Sequence, residues 1–481
     1  MENQSLSPFS IANVKRFIWF RIFFNGRFYY PIFTILFLDF GLTLSQFAIL
    51  NVVWAVTIVL FEVPSGALAD TIGRRNLVVT ASVLMVLELL LLAFAPRGIP
   101  TLLFAFFVFN RFLSGLAEAA ASGADEALAY DSLKAAGLED CWGRVLEVQM
   151  RTQAIVFILA MSLGAMVYDP DMVNFALSWL GIAVQVNQDD TLRIPVYLTL
   201  VMAFLALYTT LGMREIKTSN KNNAHQKVVS QPPEAQPKEV DKSQPTVSEA
   251  FRLTLKAGKW ILTTPFALCL ILSGLMFDHV IRMVLTLNSQ YYRIIDLPEA
   301  SFGLIGAGMS VLGLFIPALA RIATERFSML ISFISMCSLC FLCLVGMAFV
   351  VPYWGLLPAV LLVVVMMMNN FLLSHHLNKI TESHQRATVL SFKGLSYNLA
   401  YGTLGLLYAA LIAGLEKSQT LKNLALSEAD TADWTFSQSL LWFPGYFLVL
   451  ALLLSSFAGY YLQQEGRQQV TATPQQIGSP R

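Results

Sequence analysis

Charged residues are scarce in this chain. Only 13% of its 481 residues are Asp, Glu, Lys or Arg, against about 25% in a typical soluble domain. The 32 basic and 31 acidic residues leave a formal net charge of +1, so no global positive field favours binding to nucleic acid. The composition excludes a soluble cytosolic enzyme, which would need more polar residues to cover its surface. It also excludes a disordered chain, which would be rich in charge and poor in aromatic residues.

Cysteine and the common catalytic motifs are also sparse. The five cysteines are an odd number, and four lie in apolar runs, which argues against a secreted disulfide framework. Cys337, Cys340 and Cys343 have metal-like spacing but no neighbouring base or further ligand, so we interpret them as packing residues. No nucleotide-binding loop, nucleophile elbow or metalloprotease frame is present. The sequence therefore predicts no cofactor, no metal and no enzymatic activity.

Long hydrophobic runs are abundant. Hydrophobic residues make up 56% of the chain and the mean hydropathy is +0.61. A helix of roughly 20 apolar residues crosses the hydrocarbon layer, and twelve such stretches can be assigned, six on each side of a polar gap. The predicted spans are 17–38, 42–65, 77–95, 101–123, 150–168, 194–212, 260–287, 301–322, 328–351, 354–376, 388–413 and 440–462. We therefore expect an all-α membrane protein with twelve transmembrane helices in two six-helix bundles.

The distribution of Lys and Arg predicts the orientation. Most of the 32 basic residues fall in the segments on the side of the N-terminus, and the opposite segments hold five: Arg97, Arg193, Arg293, Lys417 and Lys422. Cytoplasmic segments carry the excess of positive charge. Both termini are therefore predicted to be cytoplasmic.

Composition also divides the chain into segments. Residues 1–212 and 259–465 are the two predicted bundles, and residues 466–481 are a predicted disordered cytoplasmic tail. The intervening segment 213–258 is rich in Gln, Pro and Lys and has almost no aromatic residues, so it cannot bury a core. We interpret it as a cytoplasmic tether, with a regulatory or partner-binding segment as the alternative.

A short loop follows the second predicted span and reads Gly66-Ala-Leu-Ala-Asp70-Thr-Ile-Gly73-Arg74-Arg75. Glycines permit a tight turn, a carboxylate accepts charged hydrogen bonds, and arginines favour the cytoplasmic side. The loop resembles the G-x-x-x-D-x-x-G-R-R signature of the major facilitator superfamily, in which it acts as a latch between bundles. The resemblance implies that Asp70 meets the eleventh helix and that Arg74 and Arg75 meet acidic groups near the fourth. The predicted gating residues are Glu62, Gly66, Asp70, Gly73, Arg74, Arg75 and Asp125.

The fourth predicted span carries charge at mid-membrane. Arg111, Glu118 and Asp125 are seven residues apart and therefore share one helix face. A charge at the membrane centre costs about 3 kcal/mol, so that face should meet protein or water. Arg111 and Gly115 resemble the superfamily's R-x-x-x-G pattern, which is associated with proton coupling. The alternative is that Arg111 only ties helices together. The sequence around 122–132 is similar to that of bacterial efflux-type members.

The seventh and tenth spans supply further polar candidates. Asp278 and Arg282 are i,i+4 and can pair, while His279 projects about 100° away from Asp278 on the helix. A carboxylate that alternates between Arg282 and a proton would be a coupling element, and a permanent salt bridge is an equal alternative. The predicted substrate and proton pathway comprises Arg27, Arg111, Glu118, Asp278, His279, Arg282, Asn369 and Asn370.

The resemblance implies a secondary transporter that works by alternating access. Our first hypothesis is proton-coupled export of a drug-like compound or metabolite by a monomer in a bacterial inner membrane, with the solute, protons and membrane lipid as partners. Many drug antiporters have a glycine-rich fifth helix, but Gly164 is the only glycine in 150–168. An uptake symporter or a facilitator for a small organic solute, including an anionic one, therefore remains an alternative. A non-transporting receptor or scaffold is the third hypothesis.

Overall fold

The computed structural model describes residues 7–215, 252, 258–380, 386–424 and 427–471. Within these ranges the description does not extend to the side chains of some positions, Gly66 and Asp70 of the predicted gating loop among them. All the regular secondary structure in the described residues is helical, and these residues form no strand. The all-α prediction is confirmed for this part of the chain.

Proline and glycine fix many helix boundaries in the first half. Pro100, Pro170 and Pro195 lie in the first turn of their helices, where a missing N–H costs nothing. Gly73, with φ 92°, separates two helices that would otherwise be continuous. The helices are α1 (Ala12–Asn25), α2 (Phe33–Asp39), α3 (Leu44–Ile72), α4 (Arg74–Ala93), α5 (Pro100–Ala121), α6 (Ala124–Ala135), α7 (Trp142–Tyr168), α8 (Pro170–Trp179), α9 (Gln188–Thr191) and α10 (Ile194–Leu211).

The second half repeats the pattern of long helices joined by shorter ones. Its helices are α11 (Pro265–Thr286), α12 (Asn288–Ile294), α13 (Ser301–Arg326), α14 (Met329–Ala348), α15 (Leu356–Ile380), α16 (Arg386–Glu416), α17 (Gln419–Leu424), α18 (Glu428–Leu440) and α19 (Trp442–Thr471). The last helix therefore continues past residue 465, where the sequence predicted a tail to begin. The polar linker lies mostly outside the described residues.

Ten helices in the described residues are long and apolar enough to cross a membrane. An eleventh is obtained when Ser301–Gly313 and Phe315–Arg326, which meet at 41°, are taken as one bent span. Pro317 lies just beyond the bend, and proline removes a helix hydrogen bond and crowds the carbonyl four residues before it. The count of twelve spans stays a prediction.

The first predicted span, 17–38, is not one uninterrupted helix. α1 ends at Asn25 and is capped by Gly26, a 3-10 turn covers Tyr30–Ile32, and α2 follows. Pro31 cannot donate a helix hydrogen bond, and the Arg27 amide donates instead to the Asn25 carbonyl at 2.9 Å. A hydropathy average counts apolar residues and does not detect such a break in the helix. The break places Arg27 and its tyrosine neighbours between two helical pieces.

The two halves pack through α3 against α16 and through α7 against α13. Glycines permit the approach, since the position of a Cβ on Gly405 would lie 2.7 Å from the Val52 side chain. We call the end of the bundle where the first half leaves for the linker, at residues 213–215, the linker end, and the opposite end the far end. This packing leaves a cleft between the halves.

Candidate functional site

The cleft between the halves contains two adjoining cavities. The inner cavity, of about 230 Å³, is lined by Arg27, Arg111 and Arg282 together with aromatic side chains. The outer cavity, of about 390 Å³, lies toward the linker end. Trp54 and Glu118 line both cavities. A small organic molecule fits the size of such a space, and its walls combine aromatic side chains with charged groups of both signs.

Arg111 on α5 lies in the wall of the inner cavity. It is 8% exposed, and its guanidinium donates to the Asn51 side-chain oxygen at 3.2 Å. The guanidinium also lies over the Phe33 and Trp54 rings, at 5.3 and 5.4 Å from their centroids. Gly115, one turn further on, allows α3 to approach, since a Cβ there would lie 2.8 Å from Thr57. Among the described residues Arg111 has no ion pair.

Arg27 already has a carboxylate partner. It forms a buried ion pair with Glu88 on α4, with Nη1 and Oε1 2.6 Å apart. It also donates to the Tyr29 hydroxyl at 2.8 Å. The charge of this predicted pathway residue is therefore balanced within the protein. Neither the hydropathy pattern nor helical spacing pairs two residues that are 61 positions apart.

Glu118 faces the cleft one turn closer to the linker end than Gly115. Its side chain is exposed and lines both cavities. Within the described part of the chain, the Glu118 carboxylate makes no ion pair and accepts no hydrogen bond. Asp125, the third residue of the predicted face, is instead held by Arg21, whose Nη2 donates to Oδ1 at 3.0 Å.

In the second half, Asp278 and Arg282 on α11 form the expected i,i+4 ion pair at 2.6 Å. Arg282 also donates to the Asn398 side-chain oxygen at 3.0 Å, and its guanidinium lies over the Tyr401 ring. His279 points elsewhere. Its Nε2 lies 3.0 Å from the Tyr446 hydroxyl, beside an apolar groove between α11, α16 and α19.

The two asparagines of α15 lie away from the cleft. Asn369 is buried and donates to the Gly274 carbonyl at 3.3 Å, which joins α15 to α11. Asn370 is exposed. Neither residue lines the inner or the outer cavity.

At the far end the halves are bonded together. Arg293 donates to both carboxylate oxygens of Asp39, at 2.8 and 2.7 Å, and to Glu299 at 2.6 Å. Thr34 donates to the Thr286 carbonyl at 2.5 Å, and its amide donates to the Ser289 hydroxyl at 2.9 Å. Burial by itself would lower the pKa of Arg293, but hydrogen bonding and charge attraction from Asp39 raise that pKa above its ordinary value. We call Asp39, Arg293 and Glu299 the far-end clamp.

Further hydrogen bonds between described residues join the halves toward the far end. They run from the Ile35 amide to the Ser289 hydroxyl, from Ser45 to the Ala409 carbonyl, and from the Ala300 amide to Asp169. The cleft is therefore closed at the far end, while its outer cavity lies toward the linker end. Sequence reasoning missed the clamp because Asp39 and Arg293 are 254 positions apart.

The sequence model of the Major Facilitator Superfamily matches residues 17–405. The chain belongs to the major facilitator superfamily. No curated protein sequence matches it. Solved structures with the same fold include the nucleoside transporter NupG and a bacterial homologue of the human lysosomal transporter Spinster, inward-facing and unoccupied.

The structural alignments with these transporters cover nearly the whole length of each chain. NupG is 15% identical over 94% of this chain and 99% of its own, with a TM-score of 0.62. The Spinster homologue is 13% identical over 95% and 98%, with a TM-score of 0.64. A D-xylose–proton symporter is 13% identical over 91% and 96%, with a TM-score of 0.56. At such identities the likeness establishes the superfamily fold and no substrate.

The superfamily's signature segment lies at the linker end, where it forms the end of α3 and the start of α4. The sequence predicted a loop here, but only Gly73 lies outside the two helices. Arg74 forms an ion pair with Asp131 of α6 and donates to the Ala127 carbonyl. Arg75 donates to the Met213 and Leu211 carbonyls at 2.8 and 3.1 Å, where α10 ends. Glu62 is half-buried and lines the outer cavity. The predicted contacts of Gly66 and Asp70 lie outside the described side chains.

Sequence reasoning also missed a contact between Glu215, at the start of the linker, and the first residues of α4. The Glu215 carboxylate accepts hydrogen bonds from the Arg74 and Arg75 amides at 3.2 and 2.8 Å. It therefore caps the N-terminus of α4, where unpaired N–H groups favour an anion. Gly73 leaves the necessary room, since a Cβ there would lie 3.0 Å from Glu215.

Proposed function

We propose that the protein is a proton-coupled secondary transporter that exports a small organic compound, drug-like or metabolic, across a bacterial inner membrane. The observation that supports this most is the cleft itself. It lies between the two halves, has a size suited to a small molecule, and is closed at one end. Alternating access requires such a site, opened to one side at a time.

The orientation proposed from the Lys and Arg distribution makes the linker end cytoplasmic. The described conformation would then receive solute from the cytoplasm, as an exporter must. Arg111, Glu118 and the Asp278–Arg282 pair are the proposed binding and coupling groups. Carboxylates in a membrane cavity can exchange a proton for a charged partner, and the ion pairs that line the cleft limit the cost of the buried charge.

The second candidate is a symporter or facilitator for uptake of a small organic solute. Gly164, the only glycine in 150–168, supports it because drug antiporters usually carry more glycines there. A D-xylose–proton symporter is also among the structures with the same fold. Under this candidate the same cleft and the same charged groups would serve, and the solute and proton would move in one direction.

Proton flux in everted membrane vesicles tests the proposal. A pH-sensitive dye reports an imposed gradient while drugs, metabolites and organic anions are added one at a time. We expect at least one compound to dissipate the gradient when the protein is present and not in vesicles without it. Arg111→Ala should abolish that flux.

Arg151→Ala is the matched control, because Arg151 lies on the exposed surface of α7 and pairs with Glu147. It should leave the flux unchanged at equal expression. A compound that equilibrates across the membrane faster in the presence of the protein, without any proton movement, would support the facilitator instead. Normal flux in Arg111→Ala would remove Arg111 from the proposed machinery, and no flux with any compound would favour the non-transporting receptor.

A further inference from the structure

The charges around the cleft do not cancel residue by residue. Three arginines line the inner cavity, and two of them have carboxylate partners: Arg27 pairs with Glu88 and Arg282 with Asp278. Arg111 and Glu118 remain. Each faces the same cavity, and neither forms an ion pair with any described residue.

Arg111 is a buried cation with incomplete compensation. It is 92% buried, its Nε has no hydrogen-bond partner, and its one hydrogen bond among the described residues is to a neutral amide. A desolvated charge without a counter-ion is costly. Its aromatic neighbours Phe33 and Trp54 supply only the weaker cation–π attraction. An anionic group on a bound molecule would supply the counter-charge and the hydrogen-bond acceptor that the Arg111 guanidinium lacks.

Glu118 is the corresponding anion. It lines both cavities, so a molecule entering from the linker end passes it before reaching Arg111. The charged groups that act on it are Arg27, Glu88, Arg21 and Glu62. The two arginines are already engaged, Arg27 with Glu88 and Arg21 with Asp125 and Glu126. Glu118 is therefore available to a cation brought by a ligand.

The spacing of the two groups is set by α5. Seven residues rise about 10 Å along a helix, and two side chains of one helix lean in the same direction. The two charges are therefore offset by roughly that distance along one face. Trp54, which lines both cavities, supplies an aromatic surface beside this face.

We propose that the cleft recognises a zwitterionic organic molecule, with its anionic group on Arg111, its protonated amine on Glu118, and an aromatic or apolar body against Trp54. This inference deepens the proposed transport function and rests on it. A molecule with one positive and one negative charge compensates both groups at once. A simple anion would leave Glu118 without a partner, and a simple cation would leave Arg111 without one.

The same arrangement accounts for exchange with protons. A proton and the ligand's ammonium group compete for one carboxylate, so release of the amine and protonation of Glu118 go together. When the site has opened to the other side, a proton from that side displaces the amine from Glu118, and the ligand then leaves Arg111. The site returns with Glu118 protonated and releases the proton to the cytoplasm, where the next ammonium group replaces it. Export of the zwitterion against entry of a proton follows.

A series of three probes tests the inference by isothermal titration calorimetry on the full-length protein in nanodiscs at pH 7.5. Ciprofloxacin carries a carboxylate and an ammonium on opposite ends of an aromatic bicycle. Its ethyl ester keeps only the cation, and its N-acetyl derivative keeps only the anion. We expect the zwitterion to bind at least about tenfold more tightly than either derivative, since each derivative leaves one charge uncompensated.

Two variants should separate the contribution of the ligand's anionic group from that of its ammonium group. Arg111→Gln should bind ciprofloxacin and the ester equally, and Glu118→Gln should bind ciprofloxacin and the N-acetyl derivative equally. Arg151→Gln and Glu147→Gln, a solvent-exposed pair on α7, are the matched controls and should keep the wild-type order. Size-exclusion profiles identify any variant that fails to fold.

The inference is wrong if the wild-type protein binds a singly charged derivative as tightly as ciprofloxacin, or binds none of the three. It is also wrong if Arg111→Gln and Glu118→Gln lose affinity for all three probes by the same factor. Transport is judged separately. Zwitterion binding without proton flux would contradict only the proposed function, and proton-coupled flux of singly charged compounds alone would contradict only this inference.

Discussion

At Gly164 the α7 backbone lies directly against the carbonyl of Phe28, and a Cβ added at Gly164 would overlap that carbonyl group. The obstacle is backbone and not the end of a flexible side chain, so it cannot simply swing away. This contact holds α7 against the non-helical break in the first span. The only glycine in 150–168 therefore has a packing role.

We therefore expect Gly164→Ala to destabilise the protein by about 1–3 kcal/mol, the usual cost of overpacking. Thermal unfolding of the detergent-solubilised protein, followed by size-exclusion chromatography, measures the effect. Gly143→Ala on the same helix is the control, because a Cβ there meets nothing within 4 Å. Equal melting temperatures for the two variants would show that α7 can move away from Phe28 at little cost.

The Arg27–Glu88 pair gives a second prediction at the residue scale. Glu88→Gln leaves the Arg27 guanidinium buried without a counter-ion, which costs about 3–5 kcal/mol in buried pairs. The double variant Arg27→Met with Glu88→Met should recover most of that loss, because it removes both charges. The same thermal assay checks both, and a double variant no more stable than Glu88→Gln would contradict the pairing.

Residue-scale contacts were predictable only where the chain brings the partners together locally. Asp278 and Arg282 are one helical turn apart, and their pairing follows from spacing. Arg27 and Glu88 lie on different helices, and no local pattern connects them. Asn369 and His279 show a second limit of sequence reasoning. Helical spacing places a polar residue on one face of a helix, but it does not tell whether that face meets the cleft or another helix.

At the scale of elements, the far-end clamp holds the first and second halves together through α2 and α12. We expect Asp39→Asn to weaken it, because Arg293 then keeps only Glu299 as a full counter-charge. Each 1.4 kcal/mol lost would raise the ratio of far-open to far-closed molecules about tenfold. Electron–electron distances between spin labels at positions 179 and 354, in a cysteine-free background, should gain a longer component.

Asp189→Asn is the control for the clamp. Asp189 also lies at the far end, but its ion pair with Arg97 is within the first half. That variant should leave the distance distribution unchanged. An unchanged distribution in Asp39→Asn as well would mean that packing of α3 on α16 and α7 on α13 closes the far end without the clamp.

Hydropathy located the membrane helices well, because a lipid-spanning helix needs a long apolar run and little else. It located their interruptions poorly. The break at Gly26 and Pro31 lies inside a run that is apolar on both sides, so its composition resembles an unbroken span. Hydropathy also misses the helices of the 169–193 and 414–439 segments, because it does not register N-capping groups such as Asp169 and Ser427.

At the scale of the whole molecule, the orientation in the membrane follows from charge and can be tested directly. We expect alkaline phosphatase fused after residue 184, in the far-end segment, to be active, because that segment is predicted to be periplasmic. A fusion after residue 220, in the linker, should be inactive. The reverse pattern would invert the proposed orientation and place the linker end, with the outer cavity, on the periplasmic side.

The one-sided cleft has a further consequence for reconstituted protein. In liposomes where the chain inserts in both directions, an impermeant ligand added to the outer solution meets an open cleft only in molecules whose linker end faces outward. Equilibrium titration on intact vesicles would then report about half the sites present, and permeabilising the bilayer would reveal the remainder. A stoichiometry near one half would in that case measure the mixture of orientations and not a defect in the protein.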